Sequence, residues 1–190
     1  FIDTEPAEEY FLGGEDGRHA VRSLRMRPGE ALTLCSGGKD FLCTVQRCGE
    51  DGAWVRVEEA RQNASEPRTK VTVCQCLPKG DKLETVVQKS VELGAAEVWP
   101  LSSARCVVKL DAKTAEKKTV RLQKIALEAA KQSGRGTVPR VLPPAPLKQA
   151  LETAAREGDI LFFYEEGKAP LKEALQAAGD RLFLFIGPEG

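Results

Sequence analysis

Residues Leu182-Phe183-Leu184-Phe185-Ile186 form a run of five apolar side chains with no polar alternation. A strand of this kind must be covered on both faces, which a parallel sheet flanked by helices provides. The run breaks abruptly into Gly187-Pro188-Glu189-Gly190, a tight turn without side-chain bulk at either end. In open α/β sheets, ligands settle beyond the carboxyl ends of the strands, where bare backbone can approach them. An ordinary surface turn is the commoner use of four such residues, so the loop gains meaning only from the rest of the chain. The sequence starts at Phe1 rather than Met, and a buried strand usually leads on to another element. Both ends of a longer natural protein are therefore expected to lie outside it.

Upstream of that run, strand and helix signals alternate. Val71 to Leu77 reads as a strand, and Asp81 can cap a helix to Leu93 that buries Leu83, Val86, Val87 and Val91, with Gly94 closing it. Val98-Trp99-Pro100-Leu101 is a second strand. A long helix is predicted over 117–132, with Leu122, Ile125, Ala126 and Ala129 inward. A short helix over 147–155 precedes a strand over 159–164, and another over 171–178 precedes the final strand. Such alternation predicts a parallel α/β sheet.

Residues 1–60 follow a different grammar. Short β-type runs at 31–35, 41–45 and 53–57 are separated by Ser36-Gly37-Gly38-Lys39-Asp40 and Gly49-Glu50-Asp51-Gly52, which predicts a small antiparallel barrel or sandwich. A helix is expected between Gly17 and Arg27, with Val21, Leu24 and Met26 inward and Arg18, Arg22 and Arg25 on another face. Solvent is the usual neighbour of such arginines, and a phosphate backbone the rarer one. The polar segment 61–69 reads as a linker, dividing the chain into domains at 1–66 and 70–190.

Charge excludes little. Lys plus Arg equals Asp plus Glu at 28 each, so any nucleic-acid surface must be a local basic face. No apolar run approaches the length of a membrane span, so no membrane partner is expected. The six cysteines contain no C-x-x-C pair and His19 is the one histidine, so neither a metal nor Ser-His or Cys-His catalysis is expected. Small buried thiols in a reducing cytosol are the better reading.

Four stretches carry a resemblance. They are His19-Ala20-Val21-Arg22-Ser23-Leu24-Arg25-Met26-Arg27-Pro28-Gly29; residues 79–94, continuing through Pro100 and Ser103-Ala104-Arg105-Cys106; Glu128-Ala129-Ala130-Lys131-Gln132-Ser133-Gly134-Arg135 with Val138-Pro139; and Ile186-Gly187-Pro188-Glu189-Gly190. Together they resemble the bacterial methyltransferases that modify uridine N3 in small-subunit (16S) ribosomal RNA, the RsmE-like branch of the SPOUT superfamily. The resemblance implies an N-terminal PUA-like β-barrel that binds RNA, a C-terminal SPOUT α/β knot domain, S-adenosylmethionine (AdoMet) as cofactor, a homodimer and a cytoplasmic location. In that family the chain continues past the Gly-Pro-Glu-Gly loop with a segment that completes knot and pocket. A polypeptide ending at Gly190 is therefore expected neither to close the knot nor to bind AdoMet normally, leaving a noncatalytic RNA-binding or dimerisation fragment as the alternative.

By the same resemblance, Ile186, Gly187, Pro188, Glu189 and Gly190 belong to the AdoMet pocket, with Tyr164 and Glu165 beside it. Arg105 matches a family arginine at the pocket edge and is the candidate catalytic residue, with a structural salt bridge as its other reading. Arg22, Arg25, Lys79, Lys82, Lys89, Lys131 and Arg135 are candidate contacts to the RNA of the small ribosomal subunit. A dinucleotide-binding protein is disfavoured, since no G-x-G-x-x-G or Walker loop follows an early strand.

Overall fold

Strand alternation over residues 39–48 places Phe41, Cys43 and Val45 on one face, and all three are buried in the computed structural model of the chain. The structure describes residues 1–163, 167 and 170–188, in two compact units, Phe1–Glu66 and Pro67–Gly190. The first contains β1 (Glu9–Leu12), α1 (Gly14–Arg18), β2 (Ala31–Ser36), β3 (Lys39–Cys48) and β4 (Ala53–Gln62). Its four strands form one antiparallel sheet in the order β1-β4-β3-β2. Leu12, Ala20, Leu34, Phe41, Cys43, Val45, Ala53 and Val55 make its core. Register shifts at Leu42/Cys43 and Val45/Arg47 mark irregularities of the kind that bend a sheet around such a core.

The expected helix is shifted. It begins at Gly14 and passes after Arg18 into a π-helical turn, His19–Ser23. The wider turn rotates the inward face onto Ala20, so Leu24 is 62% exposed instead of packed, and Arg25 leaves the helix at φ 54. Gly17 permits the early start: a Cβ there would run into the Leu12 carbonyl.

The second unit contains β5 (Lys70–Cys76), α2 (Lys82–Glu92), β6 (Glu97–Ser102), α3 (Ala112–Gln132), β7 (Arg140–Val141), β8 (Ala145–Pro146), α4 (Leu147–Glu157), β9 (Asp159–Phe163), α5 (Leu171–Ala177) and β10 (Arg181–Ile186). All described pairings in its sheet are parallel, in the order β7-β6-β5-β10-β9, with β8 also against β6. Flanked by β5 and β9, β10 has Phe183 and Phe185 at 1% exposure, which accounts for its unbroken apolar run. α2 buries Leu83, Val87 and Val91 and is closed by Gly94 at φ 97; Val86 is only half-buried. α3 starts at Ala112, five residues ahead of expectation, because the Asp111 carboxylate accepts from the Thr114 amide at 2.8 Å and caps it.

At the amino-terminal ends of these strands, Glu97 accepts from Thr72 Oγ1 at 3.0 Å and from Arg181 Nη2 at 3.2 Å. Arg181 also meets Glu157 at 3.1 Å. This ionic cluster lies at the end of the sheet opposite the carboxyl edge, where it ties three strands together.

Four cysteines are buried and Cys48 is exposed. Burial pushes the Cys74 thiol up to about 12 and the Cys76 thiol up to about 11, from an ordinary 9.0. Raised folded values mean the unfolded chain loses these protons first as pH rises, so their stabilising contribution is complete below pH 9 and fades toward pH 12. The urea midpoint of the second unit should therefore hold steady below pH 9 and fall above it. Replacing Cys74 with alanine should flatten that fall, and an unchanged slope would refute the assignment.

Candidate active site at the carboxyl edge of the parallel sheet

Parallel strands deliver all their carboxyl ends to one edge. Here β5 runs into Leu77-Pro78-Lys79-Gly80, β6 into Ser103-Ala104-Arg105-Cys106, and β10 into Gly187-Pro188, with Ile186 in register between Gln75 and Phe163. The Leu77 amide donates to the Leu101 carbonyl at 2.8 Å, tying the first two exits together.

Gln75 fixes the third. It is 7% exposed, and its Nε2 donates to the Gly187 carbonyl at 3.3 Å and to the Cys76 carbonyl at 3.0 Å. An amide so placed satisfies a turn carbonyl that would otherwise be stranded and fixes how the turn leaves β10. Nothing lies within 4 Å of where a Cβ on Gly187 would be, so the backbone there is open to a ligand.

The loop after β6 folds around its own thiol. Cys106 is 4% exposed, accepts from the Ser103 amide at 3.4 Å and lies 3.3 Å from Ser103 Oγ. With the loop anchored inward at Cys106, Arg105 is exposed and makes no hydrogen bond or ion pair among the described residues. Among the described residues its guanidinium is thus left exposed at the sheet edge. Beside it opens a hollow of about 650 Å³ lined by Ser102, Ser103, Val108, Lys109, Leu147 and Lys148, among others. Its mixture of apolar walls, hydroxyls and two cations suits a nucleotide.

Ile186, Gly187 and Pro188 lie half-buried at this edge; Tyr164, Glu165, Glu189 and Gly190 fall outside the described residues. Lys79 and Lys82 are exposed at the start of α2. Lys89 pairs with Glu92 at 2.6 Å and Lys131 with Glu128 at 3.2 Å. In the first unit, Arg22 is exposed and donates from Nη2 to the Glu50 carbonyl at 3.4 Å, and Arg25 is exposed.

Arg135 is a correction. Expected on RNA, it is 3% exposed, and its Nη1 donates to the carbonyls of Val91 at 2.8 Å and Ala95 at 3.0 Å. The Val91 carbonyl lies in the last turn of α2 and Ala95 just past its end, and the guanidinium caps both. Gln75, Lys109 and Lys148 were missed. The signal for Gln75 was a polar residue inside an otherwise apolar strand.

No group of three or more His, Cys, Asp or Glu side chains that could hold a metal occurs among the described residues, and no described helix is long and apolar enough to cross a membrane. Family models match twice: an RNA methyltransferase domain over residues 65–190 and an RNA methyltransferase PUA domain over residues 12–58. The chain is 38% identical over 194 residues to ribosomal RNA small subunit methyltransferase E of Bacillus subtilis, covering 98% of this chain and 76% of that protein. For the Mycobacterium tuberculosis protein of that name, identity is 32%, covering 100% of this chain and 75% of the relative. Among solved structures, the S-adenosyl methionine-bound Neisseria gonorrhoeae enzyme of that name superposes with TM-score 0.86 at 29% identity, covering all of this chain and 78% of the other. A Legionella pneumophila putative methyltransferase in complex with SAM superposes at 0.80 with 31% identity, again over all of this chain and 78% of the other. These matches lead to one conclusion: the chain belongs to the RNA methyltransferase family, in the branch of the small-subunit methyltransferase E proteins.

Proposed function

We propose that the protein transfers a methyl group from AdoMet to N3 of a uridine in small-subunit (16S) ribosomal RNA. The observation that carries the reading is the presence, on one sheet edge, of the turn held by Gln75 and the exposed Arg105. The two exits are separated by two strand spacings, about 10 Å, close enough to serve a cofactor and a nucleotide side by side.

Ile186, Gly187 and Pro188 would hold AdoMet, which when bound would supply an electrophilic methyl group. The remaining work belongs to the protein. Uracil N3 must lose its proton to water, and the negative charge then spreads onto the flanking carbonyl oxygens. Arg105 would stabilise that charge, and Lys109 and Lys148 would hold the nucleotide's phosphates. A fixed arrangement of reactants supplies much of the acceleration such a transfer needs. The family's knotted pocket, homodimer and cytoplasmic location accompany this reading, as do RNA contacts by Arg22, Arg25, Lys79 and Lys82.

The test is incorporation of labelled methyl from AdoMet into small ribosomal subunits lacking the modification, followed by nucleoside analysis. N3-methyluridine is the expected product. A methyl group on another atom, or on large-subunit RNA alone, would overturn the assignment.

Gln75→Leu should weaken AdoMet binding about three- to tenfold, the value of one net hydrogen bond. Calorimetric titration reads this directly, and unaltered affinity would show that the Gly187 carbonyl needs no such anchor.

A further inference from the structure

The outer face of the first unit's sheet carries a row of planar side chains that the reading above leaves unused. Phe11 on β1 is in register with Trp54 on β4, which is in register with Arg47 on β3. The two rings lie 5.3 Å apart, tilted at 43°, and the Arg47 guanidinium sits 4.9 Å from the Trp54 ring centroid. Phe11 is 42% exposed and Trp54 is 36% exposed. A tryptophan left this open, between the Phe11 ring and a cation, is unusual for a face that meets only water.

Beside the row lies a hollow of about 260 Å³ lined by Phe11, Arg47, Trp54 and the turn from Cys48 to Gly52. Its walls divide by chemistry: the aromatic row and Arg47 on one side, Glu50 and Asp51 on the other. Arg22 donates to the Glu50 carbonyl at 3.4 Å and brings a further cation to this turn. Arg56 stands on the same sheet face but is 3.7 Å from Glu58, so Arg47 is the main cation of the row.

We propose that this hollow is a stacking site for one unpaired base of the RNA substrate. Every base has a π-face, and aromatic rings and guanidinium planes are the usual platforms for bases splayed out of a helix. Arg47 meets the base and the adjoining phosphate, while Glu50 and Asp51 accept from N–H groups on the base edge and turn the phosphates away from their side. The carboxylates also exclude a duplex, whose two backbones could not both avoid them. The site rests on the RNA-methylating reading for its ligand but is built from residues of the first unit alone, so it fixes where a single-stranded segment engages rather than where methyl transfer occurs.

The chain contains its own probe. Trp99 is only 9% exposed, so a change in emission on adding RNA reports chiefly on Trp54. The experiment titrates the full chain with a uridine pentamer carrying one central guanosine, and with a blunt RNA duplex of equal charge. The pentamer should quench saturably and the duplex only weakly. Trp54→Ala should weaken pentamer binding, read by anisotropy, about fivefold or more, the loss of one base–aromatic stack. Trp54→Phe should retain most of the affinity, which separates stacking from misfolding. Arg47→Gln should reduce the salt dependence by about one phosphate contact.

Absence of quenching, equal quenching by the duplex, or full affinity in Trp54→Ala would overturn the site and leave this face for a protein partner. The methylation reading fails separately: a chain that stacks the pentamer but never yields N3-methyluridine keeps this site and loses that activity.

Discussion

Arg105→Ala is expected to lower methyl transfer to small subunits by about 10²- to 10³-fold, the usual loss when one donor to developing negative charge is removed. AdoMet affinity and unfolding temperature should stay close to those of the unchanged protein. The asymmetry follows from the surroundings: Arg105 is exposed and has no partner among the described residues, so its removal strands no buried group. Arg105→Lys should recover only part of the rate, because one ammonium cannot reproduce the spread donors of a guanidinium. Single-turnover rates at saturating AdoMet measure the effect. A loss confined to the Michaelis constant for the subunit, at an unchanged rate, would make Arg105 an RNA-binding residue.

Arg135→Ala should produce the opposite phenotype. Two charge-assisted hydrogen bonds to the end of α2 disappear, the carbonyls of Val91 and Ala95 lose those donors inside the protein, and a cavity remains. The cost is about 3–5 kcal/mol, or roughly 10 °C in the melting of a protein of this size. The protein that remains folded should bind RNA as before. Scanning calorimetry together with RNA titration separates these outcomes. An unchanged melting temperature with weakened RNA binding would restore the phosphate contact that the sequence suggested.

These two arginines mark how far the sequence could be read. The alternation of β5, α2, β6 and α3 was legible because each apolar set repeats at its own period, and Phe183 and Phe185 revealed a covered strand without reference to their neighbours. Gly187-Pro188 was legible as a turn leaving a buried strand, since the apolar run stops abruptly at Ile186. Arg135 was not, because a basic residue at a helix end reads the same whether it faces solvent or folds back onto another helix. Its acceptors lie 44 and 40 residues away. Leu24 was misjudged because one π-turn shifts the inward face of a helix while leaving the residue pattern unchanged. β1, β7 and β8 were missed for want of length: two of them have two residues each, and β1 buries only Leu12. Phe11, Trp54 and Arg47 come from three strands, and only the register of the sheet makes them neighbours.

The bond from Gln75 to the Gly187 carbonyl spans 112 residues of sequence. During synthesis, β5 leaves the ribosome long before the strand that must lie beside it exists. The first unit, whose strands all come from the opening 62 residues, can complete its sheet while the second still has an open flank. Such long-range parallel pairing is slow to form, and an unpaired apolar edge invites association with other chains in the meantime. The strand that carries the Gly187-Pro188 turn is also the one that joins β5 to β9, so the pairing that sets the turn at the sheet edge covers the open flank of β5 in the same step.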